Sequence, residues 1–231
     1  MYSLGLVLQR KSLQRSALLL CCALALGLLA VAANAETPAA PAAPWYQAAR
    51  VFFLLGVYHI ATGWDHLAFL FGLLLFGQPF GRLVKIVTAF TVAHSATLAL
   101  AALGLVTPPS TLIEPAIALT VAYVGLANLM QWKNVHHIGL AFGFGLVHGF
   151  GFAGALAESL NPAQSDQGQW LISLASFNLG IEAFQILLVI LLAPMLQWLR
   201  RFAWAELARR VAAVLVLGAG LGWFLIRAVN V

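Results

Sequence analysis

Apolar residues dominate the chain in long runs, and short polar or Gly/Pro breaks separate them. The runs cover about 16–31, 51–76, 83–105, 112–130, 138–157, 170–196 and 211–229. The breaks between the later runs fall at 77–81, 107–110, 131–137, 158–169 and 197–210. A helix rising through the hydrocarbon needs about 20 apolar residues, and the last six runs have that length. The pattern predicts an all-α, polytopic membrane protein with six transmembrane helices after a cleaved signal peptide. Composition narrows the picture further. Of 231 residues, 62% are hydrophobic and 8% charged, and the mean hydropathy is +0.94. Soluble domains carry about 25% charged residues, so a water-soluble globule, a disordered chain and a coiled coil are excluded. The net charge of +5 reads as Lys and Arg on cytoplasmic loops, not as a nucleic-acid footprint.

The first apolar run is read as an address. Arg10, Lys11 and Arg15 precede it, and Ala33-Asn34-Ala35 follows it, the small-x-small pattern at which signal peptidase cuts. Residues 1–35 are therefore expected to be removed, taking both cysteines, Cys21 and Cys22, with them. The mature chain then has no thiolate ligand and no disulfide. Residues 36–49, opening ETPAAPAAP, read as a stiff periplasmic Pro/Ala linker, and 50–231 as the six-helix domain. With the mature N-terminus periplasmic, Arg82, Lys85, Lys133, Arg200, Arg201, Arg209 and Arg210 fall on the cytoplasmic side. Only Arg50 and Arg227 fall on the other. That bias agrees with the signal peptide and places the C-terminus in the periplasm. Trp45, Trp132, Trp170, Trp198 and Trp204 lie near span ends, where interfacial aromatics belong.

Ionisable residues within the spans lie at one depth. Span one carries Asp65 and His66 near its centre, span two His94, span four His148 and span five Glu182. Each central charge costs about 2.5–3.5 kcal/mol on insertion scales, so a shared polar site between helices is the economical reading. In span five Asn178, Glu182 and Gln185 are spaced i, i+4, i+7 and share a face. In span two Thr88, Thr91 and Ser95 form a similar stripe with His94 at its edge. Such stripes also serve as hydrogen-bonding glue between helices.

Span one is the densest constellation, His59-Ile-Ala-Thr-Gly63-Trp-Asp65-His66. On an unbroken helix His59 and His66 share a face but lie about 10.5 Å apart along the axis. Two ligands of one ion must come much closer, since metal–nitrogen bonds are about 2 Å. Two readings stay open: Gly63 is a hinge that folds the chain around a metal, or His59 is an entrance site and Asp65/His66 the central one. Asp65 also suits an acceptor role for an imidazole N–H. In span four, Gly139/Gly143 and Gly145/Gly149 are GxxxG pairs suited to close packing. Thr111-Leu-Ile-Glu114 matches a capping box at the start of span three, the alternative being a periplasmic entrance carboxylate at Glu114. His136 and His137 read as surface histidines, with metal hand-off as the sharper alternative.

Five ordered segments carry a resemblance: GWDHLAFL (Gly63 to Leu70), TAFTVAHSATL (Thr88 to Leu98), IEPAIALT (Ile113 to Thr120), FGFGLVHGFGFA (Phe142 to Ala153) and FNLGIE (Phe177 to Glu182). Together they resemble the HupE/UreJ family of hydrogenase and urease accessory membrane proteins. The chain departs from the family pattern at Ala127-Asn128 and Phe184-Gln185. The resemblance implies a nickel permease of the bacterial inner membrane, with metal ligands at His59, Asp65, His66, His94, His148 and Glu182. Glu114, Asn178, Gln185 and Ser95 would line the path or support the ligands, and Gly63 would be the hinge. An all-N/O donor set suits nickel, cobalt, zinc or manganese and argues against copper(I). Nickel is expected first and cobalt second. The metal is cargo, no tightly bound cofactor is expected, and a cytoplasmic metallochaperone is the natural recipient. No Walker motif is present, which argues against ATP hydrolysis by this chain. Two rivals remain. An intramembrane zinc hydrolase would use His94-Ser95, His148, Asp65 and Glu182, but HExxH and GxSxG are missing. A pure scaffold has no reason to keep charge inside the membrane.

Overall fold

A computed structural model describes residues 45–132, 135–152 and 167–229. The expected signal peptide (1–35), residues 36–44, Lys133, the end of span four and most of the loop 158–169 lie outside the described residues. Among the described residues seven helices follow in order: α1 Trp45–Thr62, α2 Trp64–Leu75, α3 Phe80–Ala102, α4 Ser110–Leu129, α5 His137–Gly151, α6 Gln167–Leu199 and α7 Ala205–Val229. Helices α3, α4, α6 and α7 are each long and apolar enough to cross a membrane, and α2 and α5 are shorter apolar helices. This is a multi-span, all-helical membrane protein.

Span one is not one helix. Gly63 sits between α1 and α2 with φ −77° and ψ 89°, a ψ far from the helical value near −42°. The final helix starts earlier than the pattern implied. The loop expected at 197–210 shrinks to 200–204, because Glu206 bonds Arg209 and Arg210, i+3 and i+4 pairs that hold a polar first turn in helix. The capping box does not form. Pro109 is the N-cap of α4 and no side chain caps that end, so Ser110 is already helical and Thr111 lies two residues too far in.

The helices associate mainly as pairs: α1 along α6, α3 along α5 and α4 along α7. Glycine allows each close contact. A Cβ on Gly56 would strike the Phe177 carbonyl, one on Gly180 the Phe53 carbonyl, and one on Gly145 or Gly149 the backbone of Phe90 or His94. Of the two GxxxG pairs only the second packs, since Gly143 has nothing near it. Small residues at such seams let backbones approach where lipid offers no hydrophobic driving force.

The outside of the bundle is apolar. Val92, Leu119, Leu179, Ile190, Leu215 and Leu225 are all exposed, as a lipid-facing surface requires. Trp45, Trp132, Trp198 and Trp204 are exposed near helix ends, whereas Trp170 is 9% exposed and packs in the core with Leu174 and Phe177. The turns after α2, α4 and α6 meet at one end, around a cavity of about 630 Å³ lined by Gln78, Gln131, His137, Arg200, Glu206 and Arg209, among others. We call this the arginine-rich end. The loop between α3 and α4 and the last turn of α7 lie at the opposite end.

Candidate metal centre

Four imidazoles from four helices meet inside the bundle. The Gly63 break brings His59 of α1 and His66 of α2 to a ring separation of 4.8 Å, in place of the axial distance an unbroken helix imposes. His148 of α5 lies 4.9 Å from His66. His94 of α3 lies 5.9 Å from His66 and 6.0 Å from His59. His66, His94 and His148 are buried. Phe69, Phe90, Phe152 and Phe177 wall the cluster, with Phe152 4.2 Å from the His59 ring and Phe90 5.3 Å from that of His148.

These spacings match an ion's demands. A metal–nitrogen bond of about 2 Å puts two ring centres on one ion about 4.5 Å apart at a right angle and about 5.2 Å apart at the tetrahedral angle. His66 meets that spacing with two partners, and His94 is wider by less than an ångström. The donor atoms are not yet aimed at one point: among the described residues no three His, Cys, Asp or Glu side chains close around a common centre. Five imidazole nitrogens of the cluster are nevertheless buried without a partner, namely Nε2 of His59 and His66, both nitrogens of His94, and Nδ1 of His148. Buried polar atoms are nearly always paired. Five orphans in one cluster fit a ligand that accepts lone pairs.

Thr120 fixes the state of His148. Its hydroxyl donates to the Ile117 carbonyl at 2.6 Å and lies 2.8 Å from His148 Nε2. A hydroxyl has one proton, so toward Nε2 it accepts. This contact pairs with the His148 tautomer that carries its proton on Nε2, in which the orphan Nδ1 holds the lone pair, the arrangement typical of an oriented metal ligand. Thr120 was absent from the candidate set, although it closes the IEPAIALT segment.

The remaining candidates fall elsewhere. Asp65 opens α2 beside His66, but its Oδ2 pairs with Arg227 Nη2 of α7 at 2.8 Å and its Oδ1 is unpartnered. Glu182 accepts a bond from Thr88 at 2.5 Å, leaving Oε2 unpartnered. Gln185 bonds Thr91 at 3.1 Å. This second polar layer joins α3 to α6, with Thr91 and Thr88 about 4.5 Å and 9 Å along α3 from His94. Asn178 donates to the Leu174 carbonyl and Ser95 to the Thr91 carbonyl, each within its own helix. Glu114 is exposed, and its carbonyl receives Arg227 Nη1 at 3.2 Å. At the arginine-rich end His136 is exposed and caps α5, its Nδ1 accepting from Gly139 N. His137 is not a surface histidine: it is 6% exposed, with its ring 4.4 Å from that of Phe76.

In the sequence Arg227 reads only as one of two cations on the periplasmic side, with no part in the site. Its partner lies 162 positions away, a separation no local pattern reports.

No curated protein and no solved structure matches the chain. A family model described as HupE / UreJ protein matches residues 34–227, a span that includes every helix residue of the imidazole cluster. The chain belongs to the HupE/UreJ family.

Proposed function

We propose that this protein is a six-span inner-membrane permease for a divalent first-row transition metal, nickel first and cobalt second, supplying metalloenzyme maturation. One observation carries the reading: the four-helix cluster of His59, His66, His94 and His148, with its five unpartnered nitrogens. The donors are nitrogen and carboxylate oxygen with no sulfur, a set that suits nickel, cobalt or zinc. Family membership points to nickel among these.

In this reading the ion enters from the end that holds Asp65, Arg227 and Glu114. It sheds water as the imidazoles replace its hydration shell, with Asp65 supplying negative charge at the rim. Glu182, whose Oε2 is free, is the next oxygen donor toward the arginine-rich end. Release is into the cavity at that end, where a metallochaperone would collect the ion and His137 lines the wall. The excess of Lys and Arg there makes it the cytoplasmic end.

The test is accumulation of radioactive nickel by intact cells at submicromolar external metal, with cobalt, zinc and manganese as competitors. Expression should raise accumulation, cobalt should compete best, and substituting the cluster should abolish it at unchanged membrane abundance. Accumulation that does not rise with expression would remove the permease reading. Alkaline phosphatase fused after Val231 should be active, and an inactive fusion would overturn the orientation.

A further inference from the structure

Arg227 closes the imidazole site from the end opposite the arginine-rich one, and nothing in the transport reading gives it a part. Its guanidinium bridges three helices: Nη2 to Asp65 in the first turn of α2 at 2.8 Å, and Nη1 to the Glu114 carbonyl near the start of α4 at 3.2 Å, from the last turn of α7. The paired side chains are only 23% and 19% exposed. Arginine stays protonated at any working pH, so the bridge carries a fixed positive charge.

We propose that Arg227 is a tethered counter-cation, which holds Asp65 while the site is empty and which the incoming divalent ion displaces. This rests on the permease reading. Three physical points support the exchange. A lone carboxylate at this depth is costly, so the empty site needs a cation, and Arg227 supplies one. Asp65 is the chain neighbour of His66, the hub of the cluster, so an ion on His66 and a guanidinium on Asp65 compete for one carboxylate. When displaced, Arg227 has a place to go: it lies two residues from the end of α7, already holds the Glu114 carbonyl with its other nitrogen, and is long enough to extend to the interface. Its return to Asp65 then helps drive the ion off toward Glu182. No covalent step is involved: a divalent ion takes the place of the singly charged guanidinium at Asp65, and the guanidinium stays on the protein. Arg227 is a positioning residue in this scheme, since it acts on the ion through Asp65.

The exchange predicts a split between affinity and rate that a structural role does not. Nickel uptake is measured against external concentration for wild type, Arg227→Gln and Arg227→Lys in the full chain, with membrane abundance quantified. Arg227→Gln frees Asp65, so the half-saturating nickel concentration should fall about tenfold, the size of effect one adjacent opposite charge has on a carboxylate's proton affinity. The maximal rate per molecule should fall too, because nothing displaces the ion. Arg227→Lys keeps the charge and should shift both in the same direction by a smaller factor. If Arg227→Gln does not reach the membrane, Arg227→Lys carries the test. Wild-type uptake with an unchanged or raised half-saturation in the variants overturns the exchange alone. No nickel uptake by wild type removes the permease reading, and the exchange with it.

Discussion

The arginine-rich end and the middle of the bundle hold most of the polar side chains, and they use them in opposite ways. At the end, Arg200, Arg209, Arg210 and Glu206 are answered by the protein itself, and His137, with both ring nitrogens buried and unpartnered, is the exception. Arg209 spends three nitrogens on Glu206 and the Asn128 carbonyl, Arg210 and Gln131 join Glu206, and Arg200 caps α2 at the Leu75 carbonyl. In the middle, four imidazoles face one another with five nitrogens unanswered. A hydrogen bond already made inside the protein is committed to folding, whereas an unmade one at a buried site is available to a ligand. Glu182 stands between the two cases, with one oxygen on Thr88 and the other free.

The largest effect that can break this contrast is loss of the hub. His66→Ala removes the ring that the other three surround, and nickel uptake should drop more than 100-fold at normal membrane abundance. Losing a ligand must exceed the 10–100-fold typical of an outer partner. Wild-type uptake by this variant would make the cluster packing material. Thr120→Val comes next and falls in that 10–100-fold range, because the methyl that replaces the hydroxyl no longer fixes the His148 proton on Nε2. Uptake by Thr120→Ser should recover. If Ser fails as Val does, the hydroxyl alone does not account for the loss, and the fixed-proton role falls.

Much of this fold was legible in the sequence because the bilayer leaves few choices. Run length, break positions and the excess of Lys and Arg on alternate loops follow from hydrocarbon thickness and insertion. Depth was legible too: His66, His94 and His148 could be grouped by counting residues from span ends. Facing was not. Glu182 counts to the same depth as the cluster in the sequence, but it bonds Thr88 on α3 in a layer displaced along that helix from His94, while Gly56 and Gly180 of the α1–α6 seam hold the two helices close. The Gly63 break was one of two open readings, since nothing local distinguishes a hinge glycine from a packing glycine. The structure supplies a reason for glycine there: an alanine Cβ would sit 2.7 Å from the His59 carbonyl oxygen and 2.8 Å from His66 Nδ1. Asp65 reads in the sequence as a metal ligand or an imidazole acceptor, and its Arg227 partner lies too far along the chain for any local pattern to show.

Glu182→Gln sharpens the intermediate case. Glutamine keeps an oxygen for Thr88, so helix pairing survives, while the negative charge beyond the cluster is lost. Uptake should fall about tenfold, less than for His66→Ala, because one relay oxygen changes and the imidazoles stay. A loss above about 100-fold, beyond the range of an outer partner, would move Glu182 into the cluster itself. Unchanged uptake would assign the whole α3–α6 layer to helix pairing.

The smallest effect is expected from His136→Ala, which tests the contrast with the residue type held constant. His136 is as capable of binding a metal as His66, but its Nδ1 is already bound to Gly139 N at 3.0 Å, and the side chain is exposed. Removing a helix cap costs about 1 kcal/mol, so the detergent-solubilised protein should melt slightly earlier. Nickel uptake should stay within about twofold of wild type, far inside the 10–100-fold that loss of even an outer partner produces. A much larger loss of uptake, with thermal stability unchanged, would show that a satisfied histidine at the arginine-rich end handles metal. Hydrogen-bond satisfaction would then fail as the criterion that separates the two regions, and the exit cavity beside His137 would have to be counted as a second binding site.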